Sequence, residues 1–192
     1  GVGRPLTEMH QLFCDLETYC TEPIGNGSHR YAEKAEVMLW SFAIDDEPVQ
    51  VWDLTAERDM PLDLEAALAS ECEVWFQNGG HFDFVVLEHA MPGLHIAEHR
   101  RRDTMVQALS HSLPGALEKL GAALGLADDQ RKIADGKRLV RLFCQPHTEK
   151  DGTVVRYTRH THPADWERFK QYAGGDIVTM RAAHRKMPSW NF

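Results

Sequence analysis

The sequence has no apolar run approaching the roughly 20 residues that a membrane-spanning helix needs, and no apolar signal-peptide region at its N-terminus. With these absent, a non-membrane, cytoplasmic protein of a bacterial or phage-infected cell is the expectation. There are only four cysteines (Cys14, Cys20, Cys72 and Cys144), widely spread and with no C-x-x-C pair. The usual signature of structural zinc is therefore missing, and reduced, mostly buried thiols are expected. Eleven histidines are present, but no H-x-x-x-H pair falls on a predicted helix. Basic charge is also short: 21 Lys and Arg stand against 29 Asp and Glu, for a net charge of −8. A general nucleic-acid binder would carry a basic face. A carboxylate-built nuclease is not excluded, because bound divalent cations locally invert the sign of its site. Repeats, low-complexity tracts and internal boundaries are lacking, and 192 residues suit one domain with a sizeable core.

What is present reads as alternating strands and helices. Gln11 to Glu17 is a short apolar run ending in acids, as in a buried strand. Residues 18 to 36, rich in Gly, Ser, Asn and charge, read as a surface loop. Val37 to Ile44 and Val49 to Leu54 are strand-like runs joined by Asp45-Asp46-Glu47-Pro48, which predicts a hairpin. A short helix near Leu64 to Ala69, a strand at Glu73 to Gln77 and a helix from Phe82 to Met91 follow. A last strand is expected around Arg102 to Met105, then an amphipathic helix over Leu113 to Leu124 with Leu113, Leu117, Leu120 and Leu124 on one stripe. Arg138 to Cys144 alternates apolar and basic residues without a clear assignment. Asp151-Gly152 predicts a turn, and Pro163 to Arg185 a long helix interrupted at Gly174-Gly175. The pattern predicts an α/β fold with a mixed sheet flanked by helices.

Asp15-Leu16-Glu17 is the first chemically suggestive group. On a strand, residues i and i+2 face the same way, so the two carboxylates converge, and a divalent cation offsets their repulsion. D-x-E also occurs at Asp45/Glu47, Asp63/Glu65 and Asp165/Glu167. Those three have ordinary explanations in a turn or near a helix start, and only Asp15/Glu17 follows an apolar strand. In Asn78-Gly79-Gly80-His81-Phe82-Asp83 a turn leads into a helix. Asp83 is there either a first-turn helix acid or a third carboxylate lifted to the sheet edge. In Tyr172-Ala173-Gly174-Gly175-Asp176 the i, i+4 spacing puts the phenol and the carboxylate on one helix face. Two adjacent glycines cost a helix on the order of 1 kcal/mol each relative to alanine. Either the helix breaks there or something approaches it closely.

In order, D-x-E, Asn…Phe-Asp and Y-x-x-x-D resemble the three exonuclease motifs of the tyrosine-bearing branch of the DEDD superfamily. Phe13 to Thr18, Gly27…Arg30-Tyr31-Ala32, Asp103-Thr104-Met105…Leu113 to Leu117, Gly136 to Val140, Phe143 to Pro146 and Met187 to Trp190 further resemble the exonuclease region of phage-type family A DNA polymerases. Residues 1–192 are accordingly expected to form a single 3′–5′ exonuclease domain, as the N-terminal part of a longer chain with a C-terminal polymerase domain.

The resemblance implies a ribonuclease H-like fold and two divalent ions, Mg²⁺ or Mn²⁺, held by Asp15, Glu17, Asp83 and Asp176. It implies that Tyr172 orients the attacking water and that Thr18 lies close to the terminal nucleotide. The substrate expected is the 3′ end of single-stranded or frayed DNA, with Phe82 and Tyr172 as aromatic stacking candidates. The motif usually sets Asn four residues before Asp, whereas Asn78 precedes Asp83 by five, which opens the role of Asn78. His99-Arg100-Arg101-Arg102 is a candidate DNA-backbone contact, or a solvated charge run. Two other readings are an RNA-degrading member of the superfamily and a catalytically silent DNA-binding domain.

Overall fold

A computed structural model describes residues 10–126 and 135–189. Five segments form one sheet: β1 (Gln11–Tyr19), β2 (Glu36–Ile44), β3 (Gln50–Asp53), β4 (Glu73–Phe76) and β5 (Arg101–Asp103). Their order is β3-β2-β1-β4-β5, so β1 is central. β2 runs antiparallel to β1 and to β3, while β4 and β5 continue the sheet in parallel on the other side. A two-stranded ribbon, β6 (His147–Thr148) with β7 (Val154–Val155), stands apart around the turn predicted at Asp151-Gly152.

Alternation along β1 sorts its side chains between two cores. Leu12, Cys14 and Leu16 pack with Trp40, Phe42 and Phe76 under α1 (Ser28–Ala32), α2 (Leu62–Ala69) and α3 (Asp83–Ala90). Phe13 turns the other way, toward Trp75, Ile177 and Met180. That second face is covered by α7 (Pro163–Lys186), on which α4 (Thr104–Ser110), α5 (Leu117–Ala123) and α6 (Gly136–Phe143) pack. Each fully buried Phe, Leu or Val contributes roughly 1.5–3 kcal/mol. The two cores thus fix β1 between layers, and its second face carries Asp15 and Glu17 toward α7.

The predicted hairpin and the strands at either end of it are present, and β4 and α3 fall close to their predicted bounds. Other elements differ. β1 runs on to Tyr19, and the expected loop after it contains a 3₁₀ turn (Ile24–Asn26) and α1, whose Tyr31 and Ala32 are buried. The strand expected at Arg102 to Met105 stops at Asp103, because the Asp103 carboxylate accepts the amides of Met105 and Val106 and caps α4. The helix predicted over Leu113 to Leu124 is confined to α5, beginning after Ala116. The unassigned Arg138 to Cys144 stretch is α6, burying Leu139 and Phe143 one turn apart.

α7 is continuous through Gly174-Gly175 rather than interrupted. The close approach is by a strand: a Cβ on Gly174 would touch Val51 at 3.5 Å and Val49 at 3.6 Å. The glycine lets β3 and the residues before it lie against the helix.

Candidate metal centre and adjoining cleft

Asp15, Glu17 and Asp176 converge. Each offers a carboxylate oxygen, and these oxygens all lie within 4.8 Å of one another. Asp15 is half-buried, while Glu17 and Asp176 are 8% and 7% exposed. The β-strand period explains the first two, which share a face of β1, and the helical period brings the third from the inner face of α7. Three carboxylates this close favour a hard divalent cation, the ligand class that Mg²⁺ and Mn²⁺ prefer.

Tyr172 stands one turn before Asp176 on α7, and that carboxylate acts on its phenol. Burial first, and then the negative charges of Asp176, Glu17 and Asp15, hold the phenol well above its ordinary range. It therefore stays protonated at neutral pH and acts as a hydrogen-bonding group, not as a base. Its ring is 4% exposed and lies parallel to that of Phe169, 7° between planes with centroids 6.3 Å apart. Buried in this way it offers no face to a nucleotide base, which corrects the stacking role expected of it.

Asp83 stands apart from the cluster of three. It opens α3, 3% exposed, and accepts hydrogen bonds from the amides of Leu16 and of its own residue. Burial, reinforced by the charge of Asp103, raises the Asp83 carboxyl well above the carboxylate range, although the two amides act in the opposite sense. The turn that delivers Asp83 is held by Asp103, whose oxygens accept the amides of Asn78 at 3.0 Å and Gly80 at 3.2 Å.

Asn78 sits at φ 65° in that turn, and its carbonyl accepts from His81 and Phe82. Its backbone does turn work, and Asn78 does not line the neighbouring cleft. Gly79 is required beside it, because a Cβ there would lie 2.5 Å from the Phe76 Cβ.

A cleft of about 520 Å³ opens beside Glu17, between the end of β1, α1 and the segment after α6. Thr18, Ile24, Tyr31, Phe82, Cys144 and Pro146 are among its lining. Its size is within the range of small-molecule sites. The expected placement of Thr18 and Phe82 beside a substrate is thus compatible with the structure. The Thr18 hydroxyl, however, is already bonded to the Tyr31 hydroxyl at 2.7 Å. That bond fixes β1 where its pairing with β2 shifts register, between Glu17 and Thr18. Burial raises the Tyr31 phenol to about 12. The thiol of Cys144 donates to Glu17 Oε2 at 3.8 Å.

In the sequence Tyr31 and Cys144 stand out only as part of a family-like segment. Their contacts depend on chain crossings that no local pattern encodes.

The basic cluster His99 to Arg102 is committed elsewhere. Arg100, 7% exposed, donates to the carbonyls of Cys72, Leu68 and Ala67 and so closes the C-terminal end of α2. Arg101 pairs with Glu88 at 2.8 Å and Arg102 with Glu73 at 3.0 Å. These guanidinium groups stabilise the fold around β5, and none of the contacts involves the carboxylate cluster.

Among the described residues no helix is long and apolar enough to cross a membrane. All four cysteines are free thiols, three of them buried.

No family model matches the chain. The DNA polymerase of Bacillus phage SP02 is 30% identical to it over 185 residues, which is 93% of this chain and 28% of that polymerase. Among solved structures, RNase D of Trypanosoma brucei superposes with a TM-score of 0.60 at 13% identity, covering 96% of this chain and 59% of that one. At that identity the likeness is one of fold. The mixed five-stranded sheet flanked by helices is the ribonuclease H-like fold, and the resemblance to a phage polymerase segment holds along nearly the whole chain.

Proposed function

We propose that this chain is a metal-dependent 3′–5′ exonuclease domain that removes nucleotides from single-stranded or frayed DNA ends, as the proofreading part of a longer polymerase. The observation that carries the reading is the convergence of Asp15, Glu17 and Asp176, the last one helical turn from Tyr172, with Glu17 also lining a cleft of about 520 Å³. The likeness to a phage DNA polymerase and the fold shared with RNase D support a nuclease. The relative being a DNA polymerase favours DNA over RNA.

The clustered carboxylates fit a hard divalent ion. Asp15, Glu17 and Asp176 would hold one. Asp83 would share a second ion with Asp15. Bound Mg²⁺ or Mn²⁺ supplies water activation and charge stabilisation for an in-line phosphoryl displacement. Tyr172 orients the attacking water through its protonated hydroxyl, one helical turn from Asp176. Phe82, half-buried in the cleft wall and packed on the Tyr31 ring with centroids 5.5 Å apart, offers the aromatic surface for an unpaired base. Thr18, tied to Tyr31, shapes the cleft wall next to Glu17.

A 5′-labelled single-stranded DNA oligonucleotide, incubated with Mg²⁺ or Mn²⁺ and with or without EDTA, tests the reading. The expected result is a ladder shortening from the 3′ end that EDTA abolishes. A matched RNA oligonucleotide decides the substrate: faster cleavage of RNA would replace the DNA assignment with that of an exoribonuclease. No cleavage under either metal by folded protein, together with no Mn²⁺ heat in calorimetry, would leave a silent module.

A further inference from the structure

Gly136 opens α6 directly against the ring of Tyr172. A Cβ at that position would lie 2.7 Å from Cζ of the ring and nearer still to Cδ2 and Cε2. Carbon atoms are comfortable at about 3.5–4.0 Å, so no side chain fits unless the ring or the helix moves.

The backbone itself does not call for glycine, since Gly136 is not among the positive-φ residues. The contact with the ring supplies the reason for it. α6 is also pinned where it begins. Asp135 pairs with Arg168 of α7 at 2.6 Å and with Arg138 at 3.1 Å, and Arg138 reaches Asp165 of α7 at 2.6 Å. On the ring's own helix, Phe169 stacks parallel to it.

We propose that Gly136 is a positioning residue for Tyr172: its bare Cα, fixed by the α6–α7 ion pairs, sets where the phenol stands relative to the carboxylates. The inference rests on Tyr172 being the group that orients water. A methyl at position 136 pushes the ring aside and carries its hydroxyl with it. Misplacement of a reacting group by about 1 Å costs on the order of a hundred-fold in rate.

The test is a cycle of wild type, Gly136→Ala, Tyr172→Phe and the double variant, assayed on labelled single-stranded DNA with Mn²⁺. Thermal unfolding and Mn²⁺ calorimetry are run on each. Gly136→Ala is expected to lower kcat ten- to a hundred-fold with KM and Mn²⁺ affinity unchanged, and to add nothing once Tyr172 has lost its hydroxyl. A folded Gly136→Ala protein with wild-type kcat, or full additivity with Tyr172→Phe, overturns the proposal.

If Gly136→Ala does not fold, Gly136→Ala/Tyr172→Ala decides. Regained cooperative unfolding supports the contact as the reason for glycine, and continued failure overturns it. An inactive wild type would instead count against the exonuclease reading, while the unfolding measurements still report on the contact.

Discussion

The carboxylate of Asp103 accepts the amide of Asn78 at 3.0 Å and that of Met105 at 2.8 Å, so one side chain caps α4 and also holds the turn that opens α3. Losing a helix cap costs about 0.5–2 kcal/mol, and leaving partly buried amides unpaired adds to it. Asp103→Ala is therefore expected to lower unfolding stability by about 1–3 kcal/mol in urea titrations. Asp103→Asn, which keeps one acceptor oxygen, should lose less. Burial is the main cause of the raised Asp83 carboxyl and the Asp103 charge only adds to it, so Asp103→Asn should lower the Asp83 carboxyl slightly and leave it raised, as read by carboxyl-carbon NMR.

His184 is half-buried between Phe13 and Trp75, with its ring nitrogens against Gln11 at 3.1 Å and Gln107 at 2.7 Å. Burial holds its pKa below the ordinary 6.5. Below pH 6.5 the unfolded chain takes up a proton that the folded one resists, so stability falls with pH until the folded value is reached. The slope from this one group is at most about 1.4 kcal/mol per pH unit. Unfolding midpoints measured from pH 8 to 5 should decline in the wild type. They should decline less in His184→Gln.

Cys14 and Cys144 have thiols raised well above their ordinary range, in both cases chiefly by burial, with the Glu17 charge next for Cys144. The thiolate is the reactive form. Alkylation by iodoacetamide at pH 7.5, followed by mass spectrometry, should leave both residues unmodified in folded protein and modify them readily in denaturant. Rapid labelling of Cys144 in the native state would contradict the closed contact with Glu17.

Tyr31→Phe removes the partner of the Thr18 hydroxyl at the register shift beside Glu17. A buried hydrogen bond is worth about 1 kcal/mol, and unfolding stability should fall by that order. Because the substitution acts on the cleft wall, KM for single-stranded DNA should rise several-fold, with a smaller change in kcat. An unchanged KM would show that the cleft wall does not depend on this bond.

Much of this was legible in the sequence because it rests on local periodicity. The acids of β1 follow an apolar run, and Tyr172 and Asp176 share a face of one helix by spacing alone. Local composition misled where tertiary contact overrode it. Gly174-Gly175 suggested a break, yet α7 continues because Val49 and Val51 pack into the space the glycine leaves. Residues 18 to 36 looked like a loop, but Tyr31 and Ala32 find buried positions against the first core. Arg100 looked like a solvated cation and instead closes α2 through three carbonyls from residues far away in sequence. The place of Gly136 against Tyr172, and the separation of Asp83 from the three clustered carboxylates, depend on how α6 and α3 approach the sheet. No spacing along the chain encodes either.

The central claim is that Asp15, Glu17 and Asp176 form a metal centre for 3′-end cleavage, with Asp15 indispensable. The most direct measurement compares wild type and Asp15→Ala on 5′-labelled single-stranded DNA with Mn²⁺, alongside Mn²⁺ calorimetry and thermal unfolding. The account predicts progressive shortening from the 3′ end by the wild type, and a folded Asp15→Ala protein with severely slowed cleavage and weakened Mn²⁺ binding, because the ligand that holds the catalytic metal is lost. A folded Asp15→Ala variant that binds Mn²⁺ and digests DNA at the wild-type rate would contradict it.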